Sequence, residues 1–525
     1  MLPESPLAAI ESRLRYLLPA EMYASMWTNP SVEMMIEVHK HLRTLQRILH
    51  DYSPRQISSQ AMKPGNIKTE WQYGTMMFTD LAGFTKLMEA NSTKGREGAA
   101  DLLKQLTKYF SAMLAVISKS GGDLVEFTGD ALLIVFPKRD RNDDTLHAVR
   151  AGLRMQRAMK EFAQIETSAG IVTLKMRIGI HTGRFLTADI GTPRRMEHVL
   201  LGKDVQKAKL AESKGRNERV NLTPTSYERV IDQFRFEQGE MVEDSKDQDQ
   251  YYMLVEDDLA DEVLGEYEIT PVSRRMASST LIDRDKQSVL KEITDLTNSI
   301  EPMASFLPFP VLSLLVESAA QRKIDPDFPK PTIMFINFVG LPEAADRALP
   351  GEETKLSTSF SKAFSLINAV VESRGGMLKK VTYHLSGSDI VIYFGVPTAH
   401  TNDEMRAASA AVAIRDIIMN IKPPTIGNFQ PEIYCLIGIH SGPAFVGEIG
   451  DPRGRREYNV LGDTVNTTAR LMNRAQKNQI VISESVQKAI ELKYECISLG
   501  EASLKGKSAP MALYELVQKK PKNNG

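Results

Sequence analysis

The chain has 525 residues, with 65 Lys and Arg against 66 Asp and Glu, a formal net charge of −1. That balance excludes recognition of nucleic acid or an anionic membrane through bulk charge, and 42% hydrophobic with 25% charged residues excludes a disordered or fibrous chain. Two cysteines, Cys435 and Cys496, leave no disulfide framework and suit a reducing compartment, so a cytoplasmic location is expected. 

At ~150 residues per domain the length predicts about three domains. Residues 1–70 read as a helical N-terminal segment. Leu7, Ile10, Leu14, Leu17 and Leu18 recur at helix spacing, as do Ile36, His39, Leu42, Leu45 and Leu49, with Pro19 and Pro30 as breaks. The early charges Glu4, Glu11, Arg13 and Arg15 fit no signal peptide. His39, His41 and His50 lack the Cys or matching pair that would complete a metal site.

Residues 71–255 alternate strand and helix patterns and form a first domain. TMMFTDLAGFT, Thr75 to Thr85, reads as a strand, a tight turn and a helix start. Helices are expected over Arg96–Lys119 and Asp143–Ile165, a strand over Leu174–Gly183, and an acidic loop over Glu240–Gln250. GGDLVEFTGDALLIVF, Gly121 to Phe136, reads as a hairpin with Thr128-Gly129-Asp130 at its tip. Residues 256–328 form a connector, with a helix over Asp283–Ile300. The run Phe306–Val316 falls short of the ~20 apolar residues that span a bilayer and holds two prolines, so it reads as a packed linker. Residues 519–525 are a polar tail, expected to be disordered.

Residues 329–518 repeat the first domain. MMFTDLAGF (Met76–Phe84) returns as IMFINFVGL (Ile333–Leu341), RIGIHTGRF (Arg177–Phe185) as LIGIHSGPA (Leu436–Ala444), and EHVLLG (Glu197–Gly202) as EYNVLG (Glu457–Gly462). A repeat of this length is a domain pair and not a solenoid.

The chemistry lies in two carboxylates. Asp80 is placed at a strand end and Asp130 at a hairpin tip, and adjacent strands can bring them together. Hard oxygen donors beside a Gly-containing turn suit Mg²⁺ and a polyphosphate; the alternative is two surface turn aspartates, since turns favour Asp. The second copy departs from this pattern. Asn337 stands in the slot of Asp80 and Ser388 in that of Asp130, with the neighbouring Asp389 expected on the opposite face. That copy instead carries Lys380 and NVLGDTVNTTARL (Asn459–Leu471), where the first copy has VLLGKDVQKAKL, with Gln206 in the slot of Asn466 and, allowing one gap, Lys209 in that of Arg470.

FTDLAGFT with GGDLVEFTGDALLIVF resembles the metal-binding half of class III nucleotidyl cyclases, and the unequal tandem resembles the soluble, bicarbonate-responsive adenylyl cyclases. Gly121-Gly122-Asp123 is superficially similar to the diguanylate cyclase signature, but Leu-Val follows it. The class III resemblance implies an α+β fold: two ferredoxin-like domains in tandem forming an intramolecular pseudo-dimer, a monomer with one complete site and one degenerate pseudo-site. It implies conversion of ATP to 3′,5′-cyclic AMP and pyrophosphate with two Mg²⁺ or Mn²⁺ ions on Asp80 and Asp130. Leu81, Ala82, Gly83, Phe84 and Thr85 would wrap the triphosphate and Arg177 would meet its terminal phosphates. Lys380 and Asn459 would read the purine, Asn466 would orient the ribose, and Arg470 would stabilise charge on the α-phosphate. Lys380 can only donate, which matches adenine's ring nitrogen, whereas Asn459 can donate or accept. The pseudo-site would be lined by Glu126, Val199, Lys209 and Tyr383. Relatives have Lys in place of Glu126, so bicarbonate stimulation is expected to be weak or absent. Competing expectations are a guanylyl cyclase and a silent nucleotide sensor acting through the N-terminal helices on a regulatory partner.

Overall fold

The computed structural model describes residues 6–58, 63–138, 143–167, 170–243, 250–257, 264–269, 285–504 and 509–521. Parts of three expectations, the acidic loop at 244–249, the helix start at 283–284 and the tail at 522–525, lie outside them.

The apolar spacing of the N-terminal segment produces α1 (Pro6–Leu17), α2 (Ala20–Thr28), α3 (Val32–Tyr52) and the short α4 (Arg55–Ser58). Ser31 caps α3 by accepting from the Met34 N–H at 3.2 Å. One face of α3 buries Met35, Val38, Leu42, Leu45 and Leu49. The first domain follows: β1 (Lys68–Ala82), α5 (Phe84–Ser92), α6 (Gly95–Lys119), β2 (Asp123–Thr128), β3 (Ala131–Pro137), α7 (Asp144–Ala158), β4 (Ile165–Thr167), β5 (Gly170–Val172), β6 (Lys175–Thr192), β7 (Arg195–Leu201), α8 (Lys203–Ser213), β8 (Val220–Leu222), α9 (Pro224–Glu228), β9 (Phe236–Met241) and β10 (Tyr251–Val255). In the connector, α10 (Lys286–Ser305) is capped by Asp285. The expected linker run becomes α11 (Phe309–Ser318), because its prolines sit at the helix entrance, where a missing N–H leaves no bond unmade. The second domain comprises β11 (Thr332–Val339), α12 (Glu353–Glu372), β12 (Met377–Tyr383), β13 (Ser388–Phe394), α13 (Asp403–Met419), β14 (Tyr434–Ser441), β15 (Phe445–Gly450), β16 (Arg456–Leu461), α14 (Asp463–Met472), β17 (Ile480–Ser483), α15 (Glu484–Ile490), β18 (Tyr494–Ala502) and β19 (Met511–Lys519).

Two elements differ from the sequence reading. The helix expected to reach Ile165 ends at Ala158, passes through a 3₁₀ turn at Met159–Phe162, and Ile165 opens β4 against β5. The strand expected to end at Gly183 runs on to Thr192, so its second half leaves the domain as an arm with β7.

The first sheet runs β2-β3-β1-β6-β8-β10-β9 with β7 on β6, and the second β12-β13-β11-β14-β17-β19-β18, with β15–β16 as a separate ribbon. Alternation along β1 sends Met77 and Leu81 into the core beneath α6 and α7, and Met76 and Phe78 to the face covered by α8. The arms exchange. Leu186, Ile190, Val199 and Leu201 of the first arm share a core with α12, while Phe445, Ile449 and Leu461 of the second pack into the first domain's core. This reciprocal burial builds the pseudo-dimer. The N-terminal helices and α10–α11 form one core with Phe335, Tyr393, Val460 and Met472, so they lie on the second domain's sheet.

Candidate active site

Asp80 sits two residues before the end of β1, and the chain then turns sharply into α5. The turn requires Gly83: its φ is +93°, and a Cβ there would lie 2.3 Å from the Thr173 carbonyl oxygen. Leu81 and Phe84 are buried in the first domain's core. They anchor a turn whose Gly83, Phe84 and Thr85 form the start of α5, where first-turn N–H groups lack intrahelical partners. Such an entrance suits an anion.

Asp130 occupies the β2–β3 tip, and the hairpin is tied to β1 by the Leu132 N–H donating to Thr79 Oγ1 at 3.0 Å. Pairing of Thr79 with Leu132 puts the tip beside Asp80. Burial pushes the Asp130 carboxyl up to about 7, and the Asp80 charge adds to the push. Arg177 is the cross-strand partner of Asp80 on β6. Its guanidinium bonds the Asp80 carboxylate and lies 3.1 Å from Glu212 Oε1. The other oxygen of Glu212 accepts from Lys209 Nζ at 2.6 Å. The first domain therefore presents three carboxylates and two cations in one cluster. Glu212, 1% exposed, escaped the sequence reading; its only signal was its place one helical turn after Lys209.

The second domain brings α14, on which Asn466 and Arg470 lie four residues apart on one face. Arg470 Nη1 is 3.8 Å from Asp463 Oδ1, and the side chain keeps 29% exposure. Asn459 is buried on β16; its Oδ1 accepts from the Val460 N–H at 2.9 Å, and its Nδ2 has no protein partner. Lys380 is engaged with the first domain. Its Nζ donates to the Phe127 carbonyl and lies 3.0 Å from Glu126 Oε1 and 3.5 Å from Glu457 Oε1. Burial alone would lower the Lys380 ammonium, but Glu126 and Glu457 outweigh it and hold it above its ordinary value. Lys379, unnoticed in the sequence, bonds the Tyr458 carbonyl at 2.6 Å and pairs with Glu457 at 2.9 Å. Burial would raise Glu457, yet Lys379, Lys380 and Arg455 hold it down at about 2.

Three of the four residues expected at the pseudo-site, Glu126, Val199 and Tyr383, line a cavity of about 90 Å³ between the domains, with Lys380, Glu197 and Arg455. Lys209 is not among its lining residues. Its Nζ lies 5.7 Å from the centre of the Phe78 ring, which itself packs edge-on against Tyr383. Glu126 pairs with Lys380, and Lys209 pairs with Glu212, because each finds an opposite charge nearer than the other.

The second copy corrects one expectation. Asp389 does not turn away from Asn337: the two are cross-strand partners, whose side chains share a face, and Asn337 Nδ2 donates to Asp389 Oδ1 at 2.9 Å. Ser388 is the residue on the opposite face, lining the cavity. Where the first copy sets two carboxylates together, the second has one carboxylate capped by an amide, raised by burial to about 6.

Residues 68–256 and 326–518 both match the family described as adenylate and guanylate cyclase catalytic domain. The chain belongs to this family. Both of its domains are cyclase domains, and the whole is similar to "Adenylate cyclase type 10" of rabbit (Oryctolagus cuniculus), 24% identical over 466 residues, covering 83% of this chain and 25% of that protein. The human protein of the same name is 24% identical over 430 residues, 76% of this chain and 24% of its own length. The chain thus spans about a quarter of the length of the curated relatives it matches. Among solved structures, a class III adenylyl cyclase-like ATP-binding protein from Pseudomonas aeruginosa shares the fold across 86% of this chain and 92% of its own, with a TM-score of 0.53 and 16% identity. Among the described residues, no helix is long and apolar enough to cross a membrane.

Proposed function

We propose that the chain is an adenylate cyclase converting ATP to 3′,5′-cyclic AMP and pyrophosphate. Its single site would lie between residues 71–255 and 329–518, and the pseudo-dimer would work as a monomer. The observation that carries this reading is complementary inequality: Asp80, Asp130 and Arg177 stand on one cyclase domain, while Asn459, Asn466 and Arg470 stand on the other. Relatives named adenylate cyclase along most of the chain support the choice of ATP.

Asp80 and Asp130 fit divalent metal ions. They are hard oxygen donors that the β1–β3 register sets side by side; Asp130 is raised first by burial and then by the Asp80 charge, and a cation would relieve both. Two protein carboxylates suffice for Mg²⁺, an ion that takes most of its ligands from water and substrate phosphates. Bound there, two such ions would supply charge neutralisation at the phosphates and acidify the ribose 3′-hydroxyl. The protein's own work is positioning: the Leu81–Thr85 turn holds the triphosphate, Asn466 orients the ribose for in-line attack, and Arg470 places a planar fork at the α-phosphate, where charge builds. Arg177 would exchange Asp80 for the terminal phosphates while Glu212 retains it.

A second reading, nucleotide binding without turnover, is favoured by the engagement of Lys380 with Glu126 and of Arg177 with Asp80. Incubating the purified chain with ATP and Mn²⁺ or Mg²⁺ separates the two. Cyclic AMP is expected, lost in Asp80→Ala and Asp130→Ala; ATP binding without product establishes the second reading.

A further inference from the structure

The two domains also differ at a place that shares no residue with the cavity between them. In the first domain, residues 264–269 lie back across α7 against the turn that follows α6. The Ile269 N–H donates to the Lys119 carbonyl at 2.9 Å. Arg154 donates to the carbonyls of Leu264 at 2.7 Å and Glu266 at 3.0 Å, and to the Glu268 carboxylate at 2.8 Å. The Tyr267 ring packs on the Arg154 guanidinium and the Lys119 ammonium, with centroid distances of 4.3 and 5.1 Å. Leu264 is buried in the core, and Glu268 is 8% exposed. An acidic stretch of chain is thus held by cations on α7 and at the end of α6.

The second domain repeats the walls of that cleft. The Glu256 N–H donates to the Arg235 carbonyl where β10 leaves β9, and the Lys520 N–H donates to the Lys493 carbonyl where β19 leaves β18, so the strand ends match. Arg374 of the RGGM turn stands in the slot of Ser120 of SGGD. Counted from Asp144 and Asp403, the first residues of α7 and α13, Arg406 takes the slot of His147 and Ser409 that of Arg150. What differs is the filling. Here the walls enclose a cleft of about 330 Å³, whose lining includes Arg374, Arg406, Lys493 and Lys519 with Ser373 and Ser409, and no Asp or Glu. Arg374 donates to Ser409 Oγ at 3.0 Å and the Val370 carbonyl at 3.1 Å. Arg406 donates to Asn402 Oδ1 at 2.9 Å and the Arg374 carbonyl at 3.0 Å. Both guanidiniums therefore bond neutral oxygens. Glu491 and Glu495, on either side of Lys493, accept from Gln487 and Gln518. Leu492, beside Lys493, is 88% exposed, whereas Phe234 in its slot is buried.

We propose that this cleft docks an acidic peptide segment of a partner protein, one that presents carboxylates to the four cations, as Glu268 is presented in the first domain, and an apolar side chain beside Leu492. Bulk charge does not supply the attraction, since the whole chain carries −1; four cations gathered in one cleft do. A small anion would satisfy those cations alone. The peptide is favoured because the matching walls of the first domain hold backbone carbonyls and a carboxylate together, and because an exposed Leu492 is covered only by an apolar neighbour. The proposal does not depend on the catalytic reading.

The probe is a fluorescein-labelled synthetic peptide of this chain's own residues 256–269, EDDLADEVLGEYEI, with a twin in which every Asp and Glu is replaced by Asn or Gln. Anisotropy is measured against the full chain. The acidic peptide is expected to bind saturably and to weaken as salt rises, and the twin to bind at least about tenfold less tightly. Lys493→Glu with Lys519→Glu, both exposed, should weaken the acidic peptide by roughly tenfold or more at an unchanged melting temperature. Lys330→Glu with Lys422→Glu, an equal change of net charge at exposed positions outside the cleft, should not. Absence of binding at about 1 mM peptide overturns the proposal, and so does a twin that binds equally. An affinity unmoved by the Lys493 and Lys519 changes, or moved as far by the control pair, also overturns it. Inorganic phosphate is titrated in parallel by calorimetry. Phosphate binding that is lost with Lys493 and Lys519, without peptide binding, assigns the cleft to a small anion and overturns the proposal.

Discussion

The two cyclase domains place the same backbone slots in the same register and fill them with different chemistry. In the first, Asp80 faces Arg177 across the β1–β6 ladder; in the second, Asn337 faces Leu436 across β11–β14. The first pair is a carboxylate held by a cation, which on the proposed reading would release it to a metal and turn to a phosphate. The second slot cannot do either: Asn337 spends its amide on Asp389 and the Ser386 carbonyl. The reverse holds one helix later: α8 and α14 start after the equivalent Gly202 and Gly462, so Asn466 corresponds to Gln206 and Arg470 to Leu210, not to the Lys209 expected there, which is committed to Glu212. Duplication preserved the scaffold, and divergence left each half with what the other lacks.

The largest effect should come from removing the first domain's carboxylates. Asp80→Ala and Asp130→Ala are each expected to abolish cyclisation while leaving the melting temperature near that of the parent, since neither side chain holds the core. Near-normal turnover in either variant breaks the comparison at its root. Arg470→Ala should cost about 10²–10³-fold in kcat, as for loss of one charge-stabilising donor, whereas Lys209→Ala, one residue from the matching position on α8, should cost far less. Equal losses would show that the two helices are not functionally distinct.

Separating the halves tests their interdependence. Residues 71–255 alone and 329–518 alone should be inactive, and mixing should recover part of the activity. The structure adds a reason: each half leaves its arm's apolar residues, such as Ile190 or Ile449, without the partner core that buries them. Turnover by residues 71–255 alone would refute a shared site.

How much of this was legible beforehand depended on distance in the chain. The turn at Gly83 and the hairpin tip at Asp130 are local patterns that the motifs exposed, and Asn466 and Arg470 were singled out through the family resemblance. Lys380 with Glu126 was not legible, because the pair joins residues 254 positions apart across an interface that only the folded arms create. Glu212 was not singled out, because only the fold brings Arg177 of β6 against it. Asp389 was misplaced because strand alternation was applied to a slot that the first copy places in a turn: Asp130 precedes β3, so its facing does not follow from the ladder, whereas Asp389 lies within β13 opposite Asn337.

The Glu126–Lys380 pair sharpens the comparison at the pseudo-site. The cavity there already contains its own anion, the Glu126 carboxylate, so bicarbonate at physiological concentration should stimulate weakly or not at all, measured at fixed pH. Glu126→Lys sets two ammonium groups together in a buried place and should destabilise the chain by about 3–5 kcal/mol. Glu126→Lys with Lys380→Glu should recover much of that loss in denaturant unfolding. If the double variant is as unstable as the single one, the pair does not link the domains. A strong millimolar bicarbonate response in the parent would overturn the account of the cavity.

The smallest expected effect is a pH dependence at Glu457. Its pKa in the folded chain is held down at about 2 against an ordinary 4.5, because Lys379, Lys380 and Arg455 outweigh the opposing effect of burial. The sign follows from proton linkage. A carboxyl depressed by folding contributes stability that is complete above its unfolded pKa, so Glu457 acts fully above about pH 4.5 and loses its contribution as pH falls toward 2. Glu457→Gln lacks that charge at every pH and leaves three cations facing an amide. The melting temperature of the parent should therefore exceed that of Glu457→Gln by several degrees at pH 7, and the gap should close as pH falls from 4.5 toward 2. The counterpart in the first domain, Glu197, is raised by burial despite its bond to Arg195, so Glu197→Gln should give the opposite trend, with its smallest penalty at neutral pH. A gap at Glu457 that stays constant with pH would show that its partners act through shape and not through charge.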